Sequence, residues 1–266
     1  MAWDWRRDGQ GAIRDAPAMS AGAVVIIAVI VLATSFLSGI FGMAGGMIYM
    51  GALLLLLPVP AAMVLHGVTQ TASNGWRAYL WRGYVVWRIL LRYLIGSALA
   101  FGAFTLVRFV PDPALVLLVL GLTPFLAWMV PERLAPRADR FGGAELCGFI
   151  GTAFQLLSGV SGPLLDVFFV RCPLDRRAVV ATKAACQVAT HLLKLVYFGR
   201  IIGDGGAELG WPVLVISVVL AMAGTSLSRA TLERLTDVQF RDWTQRIVLG
   251  VGLVYLLQGI VAYAGD

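Results

Sequence analysis

Two stripes of polar side chains lie inside segments that are otherwise apolar enough for a membrane. The first stripe consists of His66, Gln70, Ser73 and Arg77, and the second of Lys183, Gln187, Thr190 and Lys194. Successive members are 4, 3 and 4 positions apart in both, which places each stripe on one face of a helix. Because polar and basic groups are costly at bilayer depth, we expect both faces to line a cavity or to contact each other. Their N–H groups are suited to binding an anion.

The members of the stripes differ in how well a structural role would explain them. Arg77 and Lys194 lie near the expected ends of their helices, where we interpret them as side chains that extend to the membrane interface. Lys183 lies about two turns inside its helix, and anion binding and the same extension both stay open for it. A histidine such as His66 is more often a packing residue than a ligand. No carboxylate shares its helix, however, so anion binding stays open for it. Interhelical hydrogen bonds are the alternative for Gln70, Gln187 and Thr190.

A glycine-rich break precedes each stripe. The first break contains Gly42, Gly45 and Gly46, and the second contains Ser158, Ser161 and Gly162. Glycine lets the backbone leave helical geometry, and irregular backbone at membrane depth must be buried or line a cavity. We expect helices to begin at Met47 and at Pro163, with free N–H groups and the positive end of the helix dipole directed at an anion. Close packing of helices at these small residues is the alternative.

Asp166 is the one carboxylate well inside an apolar run, four residues after Gly162. A buried aspartate can hold a proton, so Asp166 and His66 are our candidates for proton coupling. The alternatives for Asp166 are an ion pair with Arg171 or Lys183, or exposure near the cytoplasmic end of its helix.

The composition is that of an integral membrane protein. Hydrophobic residues make up 59% of the 266 residues and charged residues 14%, whereas a soluble chain is usually about a quarter charged. Nine apolar runs are close in length to the transmembrane helix of about 20 residues that crosses a bilayer. They cover residues 21–39, 43–57, 61–80, 89–107, 113–130, 143–158, 177–198, 211–228 and 246–263. No room is left for a separate soluble domain, and residues 1–20 are expected to form an uncleaved polar tail.

Several other functions find no support in the sequence. The net charge of +6 does not indicate nucleic-acid binding, because most arginines lie between the apolar runs, where topology explains them. Cys147, Cys172 and Cys186 are odd in number and lack CxxC spacing, so we expect neither a disulfide framework nor a metal site. HExxH, GxSxG and Walker-type motifs do not occur. The sequence therefore predicts a protein that is not an enzyme and needs no cofactor.

Arginine positions and an internal duplication predict the topology. If Ala21 to Leu57 and Gly143 to Val170 each form a hairpin, 13 arginines lie on one side, which is then cytoplasmic, and 5 on the other. Both chain ends then lie outside, in conflict with the arginines of the tail. A shift of 116 residues pairs Gly46 with Gly162. Each unit has a hairpin and three further spans, an odd number of crossings, so the second copy is inverted, as in many secondary transporters.

The breaks and stripes lie in two segments that resemble the two repeats of the TauE/SafE sulfite exporter family, namely SGIFGMAGGMIYMGALLLLLPVPAAMV and LLSGVSGPLLDVFFVRCPLDRRAVVATKA. The shared pattern is a glycine cluster, an apolar arm, a proline turn and a helix that opens with an alanine-rich stretch. The resemblance covers about Ala21 to Ala262 and implies a bacterial inner-membrane permease for sulfite, sulfonates or related sulfur compounds. One departure is Leu65-His66-Gly67, where the family commonly has an Ala-Thr-Ser-like run.

The sequence thus predicts an all-α, polytopic transmembrane bundle of two inverted repeats, residues 21–130 and 143–266, joined by a cytoplasmic linker of residues 131–142. The expected function is secondary transport of a small sulfur-containing anion such as sulfite, sulfoacetate or a related organosulfonate. We expect N–H groups after Gly46 and Gly162 to bind it, with Lys183, His66, Gln70 and Gln187. Protons are a candidate coupling ion, and a homo-oligomer stays open. A channel-like anion conduit and a non-transporting membrane scaffold are the alternatives.

Overall fold

The computed structural model describes residues 21–41, 43–203, 209–232 and 237–264, and all regular structure in these ranges is helical. The first five α-helices are α1 (Ala21–Phe41), α2 (Met43–Leu54), α3 (Val59–Leu80), α4 (Trp87–Val107) and α5 (Pro113–Met129). The next five are α6 (Gly143–Ser158), α7 (Gly162–Phe169), α8 (Arg176–Gly203), α9 (Trp211–Leu232) and α10 (Asp237–Ala264). The prediction of an all-α fold is confirmed.

Five of the described helices, α1, α4, α8, α9 and α10, are long and apolar enough to cross a membrane. Two more, α2 and α5, are apolar but shorter. Large apolar side chains such as Val29, Leu99, Leu106 and Val261 are more than half exposed on the outside of the bundle. Such a surface is unusual for a soluble protein and is expected where helices face lipid. The chain is therefore a multi-pass membrane protein.

Local sequence signals set the second break. The helix α6 ends at Gly159, whose φ of 79° lies in the left-handed region that favours glycine. Its N–H closes the last turn by donating to the carbonyl of Gln155 at 3.0 Å. The next helix begins at Gly162 with Pro163 in its first turn, where the missing N–H of proline costs no hydrogen bond. This helix start agrees with the prediction to within one residue.

The first break lies earlier in the chain than the sequence indicated. The helix start expected at Met47 is wrong, because α2 already begins at Met43 and includes the two following glycines. The physical reason is packing between helices. A Cβ atom on Gly45 would overlap backbone atoms of Thr34 and Ser38 in α1, so this glycine permits a close helix contact rather than ending a helix.

Two pairs of packed helices, each with one member from either half of the chain, run in opposite directions. Along α3 and α8, His66 contacts Lys194 and Gly75 lies beside Val188, so the two chains are antiparallel. Along α5 and α10, the contacts include Leu118 with Gly259 and Pro124 with Gly252, which gives the same relation.

The two halves of the chain interlock instead of forming separate bodies. The helix α1 packs along α9, and α4 packs along α6. In the second pair, Arg92 bonds to Glu145 at 2.7 Å and Ser97 donates to the carbonyl of Gly148 at 3.3 Å, so these helices are parallel. The four helix pairs that pack most extensively among the described residues are therefore α1 with α9, α4 with α6, α3 with α8 and α5 with α10. Each pair joins residues 21–129 to residues 143–264, so the interface between the halves is the centre of the bundle.

Three of the arginine-rich loops lie on one face of the bundle, as the topology prediction requires. Their connecting hydrogen bonds run from Arg177 to the hydroxyl of Tyr84, from Arg92 to the carbonyl of Arg140, and from Arg171 to the carbonyl of Arg133. The assignment of this face to the cytoplasm stays a prediction. The arginines of the expected polar tail lie outside the described residues.

Candidate functional site

A narrow cavity lies where the two helix breaks meet. The break between α1 and α2 contributes Ser38, Met43 and Gly46, and the break between α6 and α7 contributes Gln155, Val160, Ser161 and Gly162. The two stripe helices add His66, Gln70 and Asn74 from α3, and Gln187 and His191 from α8. The cavity volume is about 20 Å³, room for little more than one water molecule, so a larger guest needs some side-chain movement.

The lining is polar, and none of the described residues that form it is acidic. It combines primary amides, imidazole rings and hydroxyl groups with the backbone of two helix starts. Buried polar groups are costly unless they are hydrogen-bonded, so such a lining suits a polar guest. The N–H and O–H groups of this lining can donate hydrogen bonds to an anion, and no carboxylate among its described residues would repel one.

His66 is held in a defined orientation and tautomer. Its Nε2 lies 3.0 Å from the carbonyl oxygen of Gly46, which can only accept, so Nε2 carries the ring proton. Its Nδ1 then accepts from the Nζ of Lys194 at 2.8 Å. The ring of Tyr49 stacks on the imidazole with centroids 5.5 Å apart. These contacts link both stripe helices to α2.

Gln155 organises the other side of the cavity. Its Oε1 accepts from the hydroxyl of Ser161 at 2.9 Å, so its amide nitrogen points the other way. That nitrogen donates to the carbonyl of Gly159 at 2.7 Å and to Nδ1 of His191 at 3.0 Å. The proton of the neutral His191 ring is therefore on Nε2, which has no protein partner among the described residues. This N–H is available to a guest in the cavity.

Gly46 brings backbone into contact with the guest space. A Cβ atom on Gly46 would lie 2.7 Å from Nε2 of Gln70 and 3.9 Å from Nε2 of His66, so a larger residue would fill part of the cavity. Met43 and Gly46 in the first turn of α2, and Gly162 in the first turn of α7, line the cavity at the positive ends of their helix dipoles. At the start of α7, Pro163 has no N–H, and the N–H groups of Leu164 and Leu165 donate to the carbonyl of Ser161 at 3.1 and 3.2 Å, so Gly162 is the residue of that turn whose N–H has no partner within the helix.

The structure brings half of the predicted binding residues together. Those that line the cavity are Gly46, His66, Gln70, Ser161, Gly162 and Gln187. Ser158 lies in the adjoining turn and donates to main-chain carbonyls there. Thr190 donates to carbonyls of its own helix. Gly45 packs on α1 and Met47 is fully buried in the core. Gly42 lies outside the described residues.

Lys183 lies apart from the lining and forms an ion pair with Asp166 of α7. The Asp166 side chain is 40% exposed, so Asp166 is neither unpaired nor deeply buried. Of the interpretations left open for Asp166, the structure shows the ion pair with Lys183 and not a deeply buried carboxylate, because α7 is short and places Asp166 one turn from its end, next to the lysine. The roles of Lys183 in anion binding and of Asp166 in proton coupling stay predictions.

Of the two basic residues expected to extend to the interface, one lies inside the bundle. Lys194 has no exposed surface, because α8 continues to Gly203 instead of ending near residue 198, so that interpretation of Lys194 is wrong. Arg77 lies in the last turn of α3, is partly buried and donates to the carbonyl oxygen of Ser38 at 3.1 Å, which ties α3 to α1. Its extension to the interface stays a prediction.

Sequence reasoning also missed several lining residues. Asn74 follows Gln70 by four positions and so shares its helix face, a signal that was available. Gln155 is a single amide in the apolar run of residues 143–158, which was the only hint of its role. The contribution of Ser38 follows from the interlocking of α1 with the rest of the bundle, which no local pattern encodes.

Comparison with known proteins identifies the family. A family model described as sulfite exporter TauE/SafE matches residues 26–257, which include both helix breaks and the whole cavity lining. Searches of curated proteins and of solved structures gave no match. The family named by this model consists of membrane transporters, not enzymes. Because the match extends over most of the chain and both of its halves, the protein belongs to the sulfite exporter TauE/SafE family.

Proposed function

We propose that the protein is a secondary transporter that binds a small sulfur-containing anion, such as sulfite, sulfoacetate or a related organosulfonate, in the cavity between the two helix breaks. The observation that carries this proposal is the lining itself. Two helix breaks and two polar stripes from different halves meet at one site whose described residues include donors but no carboxylate. A small oxyanion matches these donors in charge and in hydrogen-bonding capacity.

In this proposal the anion is bound by groups from both halves. Gln70 on α3 and Gln187 on α8 provide amide N–H groups, and His191 provides the N–H of Nε2. The first turns of α2 and α7 add main-chain N–H groups, with the positive ends of their dipoles directed at the anion. Lys183 is a predicted further contributor, and its ion pair with Asp166 would have to open first.

We further propose that the two halves are inverted repeats that open the cavity alternately to either side of the membrane. The antiparallel arrangement of α3 with α8, and of α5 with α10, supports this relation. In transporters of this kind, substrate sites lie at the interface between repeats and use broken helices, as the cavity here does. The proposed location is the bacterial inner membrane, with the bilayer, the anion and protons as partners.

A thermal-shift screen tests the substrate class. Purified protein in detergent is heated with sulfite, sulfoacetate, taurine, thiosulfate or sulfate. A ligand that binds only the folded state raises the melting temperature, and the increase grows with ligand concentration. We expect sulfite or a sulfonate to give the largest increase. An absence of any shift across the series would exclude this substrate class.

Flux measurements test transport and the position of the site. Reconstituted wild-type protein should move labelled sulfite and should exchange it against unlabelled sulfite. Gln70→Leu, which removes a lining amide, should reduce this flux by about tenfold or more. The matched control is Gln258→Leu, the same substitution at an exposed position on α10, which should transport normally.

The same assay separates the alternatives. A conduit would release sulfite without stimulation by unlabelled sulfite on the opposite side, whereas alternating access produces such stimulation. A scaffold protein would show no flux in the wild type. Normal flux in Gln70→Leu would show that the anion passes elsewhere.

A further inference from the structure

Lys194 lies inside the bundle, and none of the described residues gives it an acidic partner. Lys194 has no exposed surface, and its Nζ donates to Nδ1 of His66 at 2.8 Å and to the carbonyl oxygen of Gly159 at 3.1 Å. The ion pairs formed by the described residues are Arg92 with Glu145, Arg137 with Asp139, and Lys183 with Asp166. None of them includes Lys194.

The groups around Lys194 are neutral or basic. From α3, His66 faces its amine, and Tyr49 of α2 lies behind that ring. From its own helix, His191 stands 5.5 Å from His66, measured between ring centroids. The turn after α6 contributes the carbonyl of Gly159. No charge of opposite sign is therefore provided by the described residues that touch the amine.

An ammonium group in this position is costly, because it has left water and has gained no negative partner. An anion in the cavity would supply that partner. His66 stands between Lys194 and the cavity, since its Nε2 donates to Gly46, a lining residue. The protonated amine and the anion would then be separated by a single imidazole ring.

The hydrogen bond between Lys194 and His66 also provides a route for the proton. The proton can remain on Nζ or move along this bond to Nδ1 of His66. In the second case the amine becomes neutral and the positive charge lies on a ring that lines the cavity. Either arrangement balances one negative charge of the anion, and one proton is gained for each anion bound.

We propose that Lys194 and His66 together hold the proton that accompanies the anion, so that the pair is protonated when the cavity is occupied and neutral when it is empty. Lys194 acts through His66 and does not touch the anion. This inference rests on the proposed function, because it requires an anion in the cavity. It assigns the coupling proton to the centre of the bundle instead of to Asp166.

Calorimetry on the wild-type protein tests this proposal. Sulfite and isethionate are each titrated into purified protein in two buffers with different ionisation enthalpies, and the difference in heat gives the number of protons taken up. Isethionate is included because its sulfonate stays ionised where histidine and lysine titrate. We expect uptake of about one proton per isethionate, and an affinity that falls about tenfold per pH unit at alkaline pH.

Three variants locate the proton. Lys194→Met removes the titrating amine at similar length and leaves His66 as the only base of the pair, so proton uptake should decrease and the pH dependence of binding should move to lower pH. Lys194→Arg keeps a permanent charge, so binding should continue without uptake. Arg200→Met is the control, because it removes an exposed basic residue of the same helix and should leave proton uptake unchanged.

The outcomes separate this inference from the function on which it rests. If neither anion binds the wild-type protein, the proposed function and this inference both fail. If isethionate binds without proton uptake, if Lys194→Arg still takes up a proton, or if Lys194→Met changes neither the uptake nor its pH dependence, the anion site stands and the inference is wrong. Should Lys194→Met not fold, the wild-type stoichiometry and the Lys194→Arg variant decide the matter.

Discussion

Two adjacent glycines of α2 serve different purposes, which their surroundings reveal. A Cβ atom on Gly45 would meet backbone of α1, which cannot move aside, whereas one on Gly46 would meet the end of the flexible Gln70 side chain. The first glycine therefore maintains a helix contact, and the second leaves room in the cavity. A test of the anion site can use this difference within a single turn.

Gly46→Ala should fold and should bind sulfite about tenfold more weakly, because the added methyl group displaces the Gln70 amide from the guest space. The measurement is the sulfite-dependent increase in melting temperature. Gly75→Ala on α3 is the control, because its Cβ would only touch Val188 at 3.9 Å, an ordinary contact. Gly45→Ala should instead reduce the yield of folded protein. Unchanged sulfite binding by Gly46→Ala would show that the cavity does not hold the anion.

Asp139, in the loop between α5 and α6, should give the protein an acid-sensitive contribution to stability. Hydrogen bonds from the Arg137 guanidinium lower the pKa of Asp139 from 3.8 to about 2. A pKa that is lower in the folded state adds stability above pH about 4, and this stability is lost as the pH falls towards 2. When the pH falls from about 5 to about 3, the melting temperature of the wild type should decrease by up to about 2 °C more than that of Asp139→Asn. The difference is small because the pair of Arg137 and Asp139 is partly exposed. Equal losses in both proteins would contradict this assignment.

At the scale of helices, the sequence predicted which segments form helices better than it predicted which other helices pack against them. Each apolar run became a helix, because the length and apolarity that a bilayer requires are local properties of the chain. The start of α2 was misplaced because glycine serves close packing and helix breaking equally well, and only the presence of α1 decides between them. Lys194 was misplaced because α8 extends beyond its apolar run, and no sequence pattern showed that α3 covers it.

The helices α7 and α8 are joined by the ion pair between Asp166 and Lys183, and this contact should contribute modestly to stability. Asp166→Asn should lower the melting temperature by about 1 to 3 °C, because the pair is partly exposed. If the ion pair itself provides this stability, the double variant Asp166→Asn with Lys183→Met should have a melting temperature close to that of Asp166→Asn. The melting temperatures of the single and double variants form the measurement. A double variant whose loss equals the sum of the two single losses would show that the residues act independently.

At the scale of the whole molecule, the inverted repeat stays a prediction, with the antiparallel packing of α3 against α8 as its structural support. The interlocking of the halves could not be predicted, since it depends on contacts between helices far apart in the chain. It explains why the cavity is shared: each half provides one break and one stripe, and neither half encloses the site alone.

Cysteine labelling in intact cells tests the topology of the whole molecule. Arg82→Cys and Arg133→Cys lie in loops of the arginine-rich face, and both should be protected from a membrane-impermeant thiol reagent if this face is cytoplasmic. Arg108→Cys, at the opposite end of α4, should react. The native cysteines are buried and give a low background. Labelling of Arg82→Cys together with Arg108→Cys would rule out the proposed arrangement.

The central claim, that a small oxyanion binds where the two helix breaks meet, is tested most directly by anomalous X-ray scattering. Crystals of the protein with its natural methionines are soaked with selenite, which shares the shape and charge of sulfite and supplies the only strong anomalous scatterer at the selenium edge. We expect a selenium peak in the cavity between Gly46 and Ser161, within hydrogen-bond distance of the side chains of Gln70 or His191. An empty cavity in crystals that bind selenite elsewhere, for example beside Lys183, would contradict it.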